Sequence, residues 1–277
     1  MQFFNDLMQY GYLSNAFWAS ILSGISCALV GLYIVSRRMV FLSGGITHAS
    51  FGGLGIALYT GINPIIGALC FALLSALGIE RASQRGKIRQ DSMIGIIWSI
   101  GMAIGVLFMS LRPGYTSGDM TAYLFGSIIT VTHGDLVALA ILTAVVVLGA
   151  VLWLRPIMYV AFDRTFAQSR AIAVNRIAYL MAIILAVTIV LSIRIMGIIL
   201  LLALITMPVV IANLLTQSYR NIALTAPFIA IAGNITGLII SYEWEVAPGA
   251  AIIFTLTLAL IAVKLLTLSR NKRTHKA

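Results

Sequence analysis

The sequence predicts an all-α, polytopic integral membrane protein, and three observations carry that prediction. Only 9% of the residues are charged and 61% are hydrophobic, whereas soluble domains average about 25% charged residues. Apolar runs of about 20 residues, the length that crosses a bilayer as a helix, recur from one end of the chain to the other. These runs are too continuous for the alternating strands of a membrane barrel.

In chain order, nine spans fall near residues 15–35, 40–59, 62–79, 92–111, 136–154, 174–193, 196–216, 222–241 and 247–268. The number drops to eight if one of them re-enters the membrane. The first thirteen residues contain Asp6 and no basic residue, unlike a cleavable signal peptide. With the N-terminus outside, 16 of the 18 Lys and Arg residues fall on the inner side, in loops, inner span ends or the C-terminal tail, and only Arg112 and Arg194 fall outside. Asp6, Asp119, Asp135, Glu243 and Glu245 take the outer side. Reversing the chain would invert that ratio, so the positive-inside rule sets an N-out, C-in topology.

The net charge of +10 is then a topology signal and not a nucleic-acid footprint. Residues 270–277 read as a basic cytoplasmic tail. No connection is long enough for a soluble domain, so residues 1–277 are expected to form a single transmembrane domain. The longest outer connection, Arg112 to Asp135, contains Met120 to Ile129, too short to span and expected to lie along the interface or re-enter. Cys27 and Cys70 sit in apolar runs without CxxC spacing and are expected to be small buried hydrophobes.

Four stretches stand out within this frame. In Phe41-Leu-Ser-Gly-Gly-Ile-Thr-His-Ala-Ser-Phe-Gly-Gly-Leu-Gly55, helical spacing puts Gly44, His48, Gly52 and Gly55 on one face. A small face with one imidazole either lines a path or packs tightly beside one. The inner connection 155–173 mixes charged and apolar residues. From Asp163, a suitable N-cap, it reads as a short amphipathic helix with Phe162 and Phe166, and Ala167 or Arg170, on one face. That suits a docking knob for a soluble partner, or a helix resting on the membrane surface. Pro208, with Thr206 and Met207 beside it, is expected to kink its span as a hinge or a packing feature. The fourth stretch, Ser241-Tyr-Glu-Trp-Glu-Val-Ala-Pro-Gly-Ala250, is an acidic outer turn with Trp244 at interface depth. Its carboxylates are read as solvated loop charges or as an attraction for cations.

Several enzyme classes lack their residues. Arg85-Gly-Lys-Ile-Arg89 has neither the upstream glycine nor the following Ser or Thr of a P-loop, so the chain has no such ATP site. There is no HExxH, GxSxG or Cys/His zinc cluster. His48 is the one histidine well inside a span as drawn, and those spans hold no interior Asp or Glu.

Together these residues resemble the permease subunits of bacterial metal-ion ABC importers of the zinc, manganese and iron type, from about Phe17 to Leu266. In that family an Arg-Arg-Met-like turn leads into a Gly-Asp-Ala-hydrophobic-Ser-His-Ala helix. Here the stretch reads Arg37-Arg-Met-Val-Phe-Leu-Ser-Gly-Gly-Ile-Thr-His-Ala49. Asp91 to Gly105 is similar to the family's fourth span, and Tyr123-Leu-Phe-Gly126 to its outer Leu-Phe-Gly element. Asp163-Arg-Thr-Phe-Ala167 is similar to its coupling segment, and the Gly197, Leu201, Pro208, Ala212 and Pro248-Gly-Ala250 patterns also fit. There are two departures. Gly44 stands where the family has Asp, leaving His48 with neutral neighbours such as Ser43, Thr47 and Ser50. Ala171 stands where a glycine ends the coupling helix, and its small side chain should be tolerated there.

The resemblance implies a homodimeric permease in the bacterial cytoplasmic (inner) membrane, with an ATP-binding cassette subunit beneath it and an extracytoplasmic metal-binding protein above. A divalent metal would be the substrate and no cofactor would be held tightly. ATP would be bound by the partner, and this chain would not be an enzyme. His48 would be a pathway residue or transient metal ligand, with Gly44, Thr47, Gly52, Met207 and Pro208 as pathway or hinge residues. The cytoplasmic coupling loop 155–173 would dock the ATPase through Asp163, Phe166, Ala167, Arg170 and Ala171. The competing classes are a stand-alone carrier or channel for a cation, working without an ATPase, and an intramembrane enzyme.

Overall fold

The computed structural model describes residues 2–85, 89–112 and 131–274. Among these, all regular structure is helical: α1 (Gln2–Gln9), α2 (Gly11–Ser36), α3 (Val40–Thr60), α4 (Pro64–Arg85), α5 (Gln90–Ser110), α6 (His133–Phe162), α7 (Arg164–Ser169), α8 (Val174–Leu215), α9 (Tyr219–Trp244) and α10 (Pro248–Thr274). Nine stretches of the described residues are long and apolar enough to cross a membrane, two of them, Val174–Ile193 and Ile195–Leu215, within α8. They coincide with the nine spans drawn from the sequence, with shifted ends. The expected interfacial segment Met120 to Ile129 and the Tyr123–Gly126 element lie outside the described residues.

Local chemistry explains most of the boundaries. Pro64 and Pro248 open α4 and α10, where a residue without an N–H loses nothing. The α6 helix continues past Arg155 to Phe162, so the expected inner loop begins as helix. Inside it Trp153 has non-helical dihedrals (φ −124°, ψ 18°). Pro156, three residues on, lacks the N–H that would reach back to that turn, which accounts for the kink.

The break inside α8 lies elsewhere than expected. Pro208 sits in a continuous helical stretch, and the non-helical residue is Gly197, with φ 74° and ψ 169°. That region is essentially closed to residues with a Cβ. A proline removes one hydrogen bond that neighbouring groups can replace, whereas a positive φ takes the backbone out of the helix.

The chain divides into two compact units: the described residues of Met1–Val35, Ile128–Leu154 and Ile199–Ala277, and those of Ser36–Ser127 and Arg155–Ile198. In the first unit, buried polar side chains join separate helices. Asn234, fully buried, donates from Nδ2 to the Ser20 carbonyl at 2.7 Å. The Thr143 hydroxyl lies 2.7 Å from the Leu139 carbonyl and 3.1 Å from that of Leu22. Tyr242 donates to Asp6, and its ring meets Phe3 edge-on at 5.4 Å, which fastens α1 to α9.

The second unit is built on α3, the most buried of the candidate spans. A Cβ at Gly52 would lie 2.8 Å from the Gly101 carbonyl oxygen, and one at Gly55 2.5 Å from that of Gly105. The α3 and α5 backbones therefore touch, which only small residues allow. Cys27 is buried as expected, but Cys70 is exposed. It lies within the apolar α4 span, where lipid tails can cover an apolar side chain as well as protein can.

Replacing Gly197 with Ala should lower stability by about 1–3 kcal/mol, the usual cost of so sparsely populated a backbone conformation. The measurement is the unfolding midpoint of the detergent-solubilised protein, and an unchanged midpoint would show that α8 is not held in this break.

Candidate functional site

His48 projects from the middle of α3, within the second unit. Its ring stacks on the Trp98 indole of α5, with centroids 4.2 Å apart and planes inclined by 8°. His48 is half-buried, and its buried Nδ1 has no hydrogen-bond partner. The nearby hydroxyls all turn back to their own helix: Ser43 donates to the Val40 carbonyl at 2.7 Å, Thr47 to Ser43 at 2.6 Å, and Ser50 to Thr47 at 2.6 Å. Each keeps oxygen lone pairs for an acceptor role.

Gly44 and Thr47 are buried beside this histidine on α3, while Gly52 is taken up by the contact with Gly101. Among the described residues, no three of His, Cys, Asp and Glu gather closely enough to hold a metal ion. Helix α3 itself brings one imidazole and no carboxylate to this place. Farther along, Ser50, Phe51, Leu54, Asn63, Ile193 and Ile198 are among the described residues around a cavity of about 390 Å³, and none of the described lining residues is charged. Met207 and Pro208 belong to the first unit. Pro208 is buried there, and the Thr257 hydroxyl lies 3.9 Å from the Met207 sulfur.

The second group of expected site residues forms α7. The Asp163 carboxylate accepts from the Thr165 and Phe166 amides at 2.8 and 3.0 Å, the capping role expected of it. At the other end the Ile172 amide donates to the Ala167 carbonyl at 3.1 Å and the Ala171 amide to that of Gln168 at 2.9 Å. This pair of bonds is a Schellman motif, and Ala171 holds its left-handed position with φ 57°.

The helix has two distinct faces. Ala167 is fully buried and packs with Val160 and Val174, flanked by Ile172 and Ile177. Phe162 and Phe166 remain 65% and 42% exposed. The Arg170 guanidinium lies 5.5 Å from the centre of the Phe166 ring, and Tyr159 meets that ring edge-on at 5.5 Å. Ala167 therefore anchors the helix, and Phe166 and Arg170 are what it presents.

One charged cluster escapes the sequence reading. Glu80, inside α4, is 2% exposed, and its Oε2 accepts from Arg37 at 3.0 Å. Its Oε1 accepts from Arg164, the first residue of α7, and from Gln84 at 3.3 Å. The expectation that no span holds an interior carboxylate is thus corrected: α4 runs a turn and a half beyond residue 79 and carries Glu80 in its buried face. Two guanidiniums make that burial tolerable.

Comparison with known proteins places this architecture. The sequence model of the ABC 3 transport family matches residues 9–267. The chain belongs to the ABC 3 transport family. Within curated sequences it is 43% identical over 133 residues to an uncharacterised membrane protein of Synechocystis sp., covering 48% of this chain and 47% of that one. It is 36% identical over 134 residues to the manganese transport system membrane protein MntC of Halalkalibacterium halodurans, covering 48% and 46%. The chain thus spans about half the length of the curated relatives it matches. Its fold is similar to that of PsaBC from Streptococcus pneumoniae in complex with Fab, with a TM-score of 0.84, 27% identity, and 95% of this chain and 94% of that one covered.

Membership of the ABC 3 transport family agrees with the resemblance read from the motifs. Two residues of this family member needed the structure to stand out. Trp98 shares a stripe with Ile94, Gly101 and Gly105 on α5, so helical periodicity could have placed it opposite α3. Glu80 had no such signal. Ala171 carries a consequence at the backbone and not at the surface. Left-handed geometry costs a non-glycine residue about 1–2 kcal/mol, partly offset by the extra freedom that glycine loses on folding. Ala171→Gly should therefore raise stability by up to about 1 kcal/mol and slow hydrogen exchange at the Ile172 amide. A lower unfolding midpoint would contradict that.

Proposed function

We propose that this chain is the membrane permease subunit of an ATP-binding-cassette importer that carries a divalent metal ion into the cytoplasm, manganese first among zinc, manganese and iron. In this reading a separate subunit hydrolyses ATP, an extracytoplasmic binding protein delivers the metal, and two copies of the chain form the membrane unit. The observation that carries the reading is the family match across residues 9–267. The preference for manganese draws on relatives described as manganese transport proteins, MntC of H. halodurans among them.

The charge asymmetry of the loops puts the N-terminus outside and the 155–173 region, with α7, in the cytoplasm. There a short helix capped at both ends, anchored by Ala167 and presenting Phe166 and Arg170, is suited to a soluble ATPase. Asp163 and Ala171 act by ending the helix and so fixing where that face points. His48, with Gly44 and Thr47 beside it, is the pathway element. An ionised side chain in mid-membrane would cost roughly 2.5–3.5 kcal/mol on insertion scales, whereas an imidazole can be neutral and still offer a lone pair. Manganese(II) favours oxygen ligands, so one nitrogen without a carboxylate suits a transient contact with an ion that keeps part of its water. Gly52 supports the path by close packing, and Met207 and Pro208, which lie in an unbroken helical stretch, are assigned to packing within the first unit.

Two substitutions test the reading in vesicles that hold the chain with its ATPase partner and are offered manganese(II), zinc(II) or iron(II). Phe166→Asp should cut ATP-driven uptake at least tenfold while the protein stays folded and inserted; an unchanged rate would point to a carrier or channel without an ATPase. His48→Ala should lower uptake at least tenfold with ATPase binding intact. Unchanged uptake would make His48 a packing residue against Trp98.

A further inference from the structure

The α7 helix is six residues long, and something must carry its displacement into the spans. Its apolar anchor, Ala167, packs with Val160 on α6 and Val174 on α8, the two helices that flank it in sequence. Arg164 adds a contact with another helix of the unit, its guanidinium reaching Glu80 on α4. The other oxygen of Glu80 holds Arg37, in the turn between α2 and α3. That turn leads straight into α3, where His48 stands eight residues beyond Val40, about 12 Å of helical rise.

We propose that Glu80 is a positioning residue for transport: it clamps the coupling helix to the α2–α3 turn, so that α7 and the His48 helix move together. This rests on the importer reading of the preceding subsection. The clamp suits the role because both carboxylate oxygens are engaged, by different guanidiniums, in a site with 2% exposure at Glu80 and 6% at Arg37. An apolar contact can slide as helices shift, but a buried carboxylate cannot leave either partner without stranding a charge. Arg164, at 30% exposure, is the half of the clamp open to the surface that α7 presents. A clamp that only stabilised the fold would need no link to the coupling helix, because Arg37 and Gln84 already engage both oxygens.

The test is the number of metal ions imported per ATP hydrolysed, measured with manganese(II), zinc(II) or iron(II) on the complete complex in vesicles. Glu80→Gln and Arg164→Met should keep ATPase binding and hydrolysis within twofold of wild type and lower the ratio at least tenfold. Arg164→Lys should restore at least half of it. If Glu80→Gln fails to insert, Arg164→Met decides alone, because it leaves the Arg37–Glu80 pair intact. A wild-type ratio in Arg164→Met would overturn the proposal. So would a parallel fall of uptake and hydrolysis, which marks a docking or folding role. A wild-type complex that moves no metal with ATP would remove the importer reading itself, and the clamp with it.

Discussion

Helix α3 lies so close to α5 at Gly52 and Gly55 that a single methyl group would meet a backbone carbonyl within 2.8 Å. This contact governs the second unit. Within lipid, apolar surface gains little by exchanging hydrocarbon for protein, so helices hold together through close packing and polar contacts. Gly67 of α4 meets α3 at Gly53 in the same way. With α4 and α5 both drawn against it, α3 has little room to tilt, and His48 is presented from a fixed support. Trp98 then covers one face of the ring, and Nδ1 is buried without a hydrogen-bond partner.

Charge is placed with similar economy. The cluster built around Glu80 ties short polar segments to a long apolar one, whereas Asp163 acts within its own short helix. Glu80 secures α4, the α2–α3 turn and the start of α7. Asp163 closes the first turn of α7. Removing one partner from a buried ion pair commonly costs about 3–5 kcal/mol, most of it from the charge left behind. Such a pair can fix geometry strongly even where it contributes little net stability. That is the property a transmission element needs, and an apolar interface supplies it less well.

Much of this is legible in the sequence because membranes impose simple rules. Spans are read from length and apolarity, the α3 stripe from three- and four-residue steps, and the Asp163 cap from a small acidic residue before an amphipathic turn. Other features need tertiary information. Glu80 falls one residue past the drawn end of its span, and only the arrival of Arg37 and Arg164 from elsewhere makes its burial possible. Pro208 draws attention as a helix breaker, yet the break is at Gly197, where a positive φ takes the backbone out of the helix. Ala167 shares a face with the aromatics by spacing alone, but the flanking helices bury it. Ala171 shows the reverse: its unusual backbone follows from the Schellman turn and is invisible in its side chain.

In the proposed importer the chain forms a metal path that opens only when an ATPase acts on it. The most direct measurement is uptake of manganese(II), with zinc(II) and iron(II) alongside, into vesicles holding the wild-type chain alone or with its ATPase partner and ATP. Uptake should need the partner and hydrolysable ATP together, with none by the chain alone. Uptake at the same rate by the chain alone would contradict it.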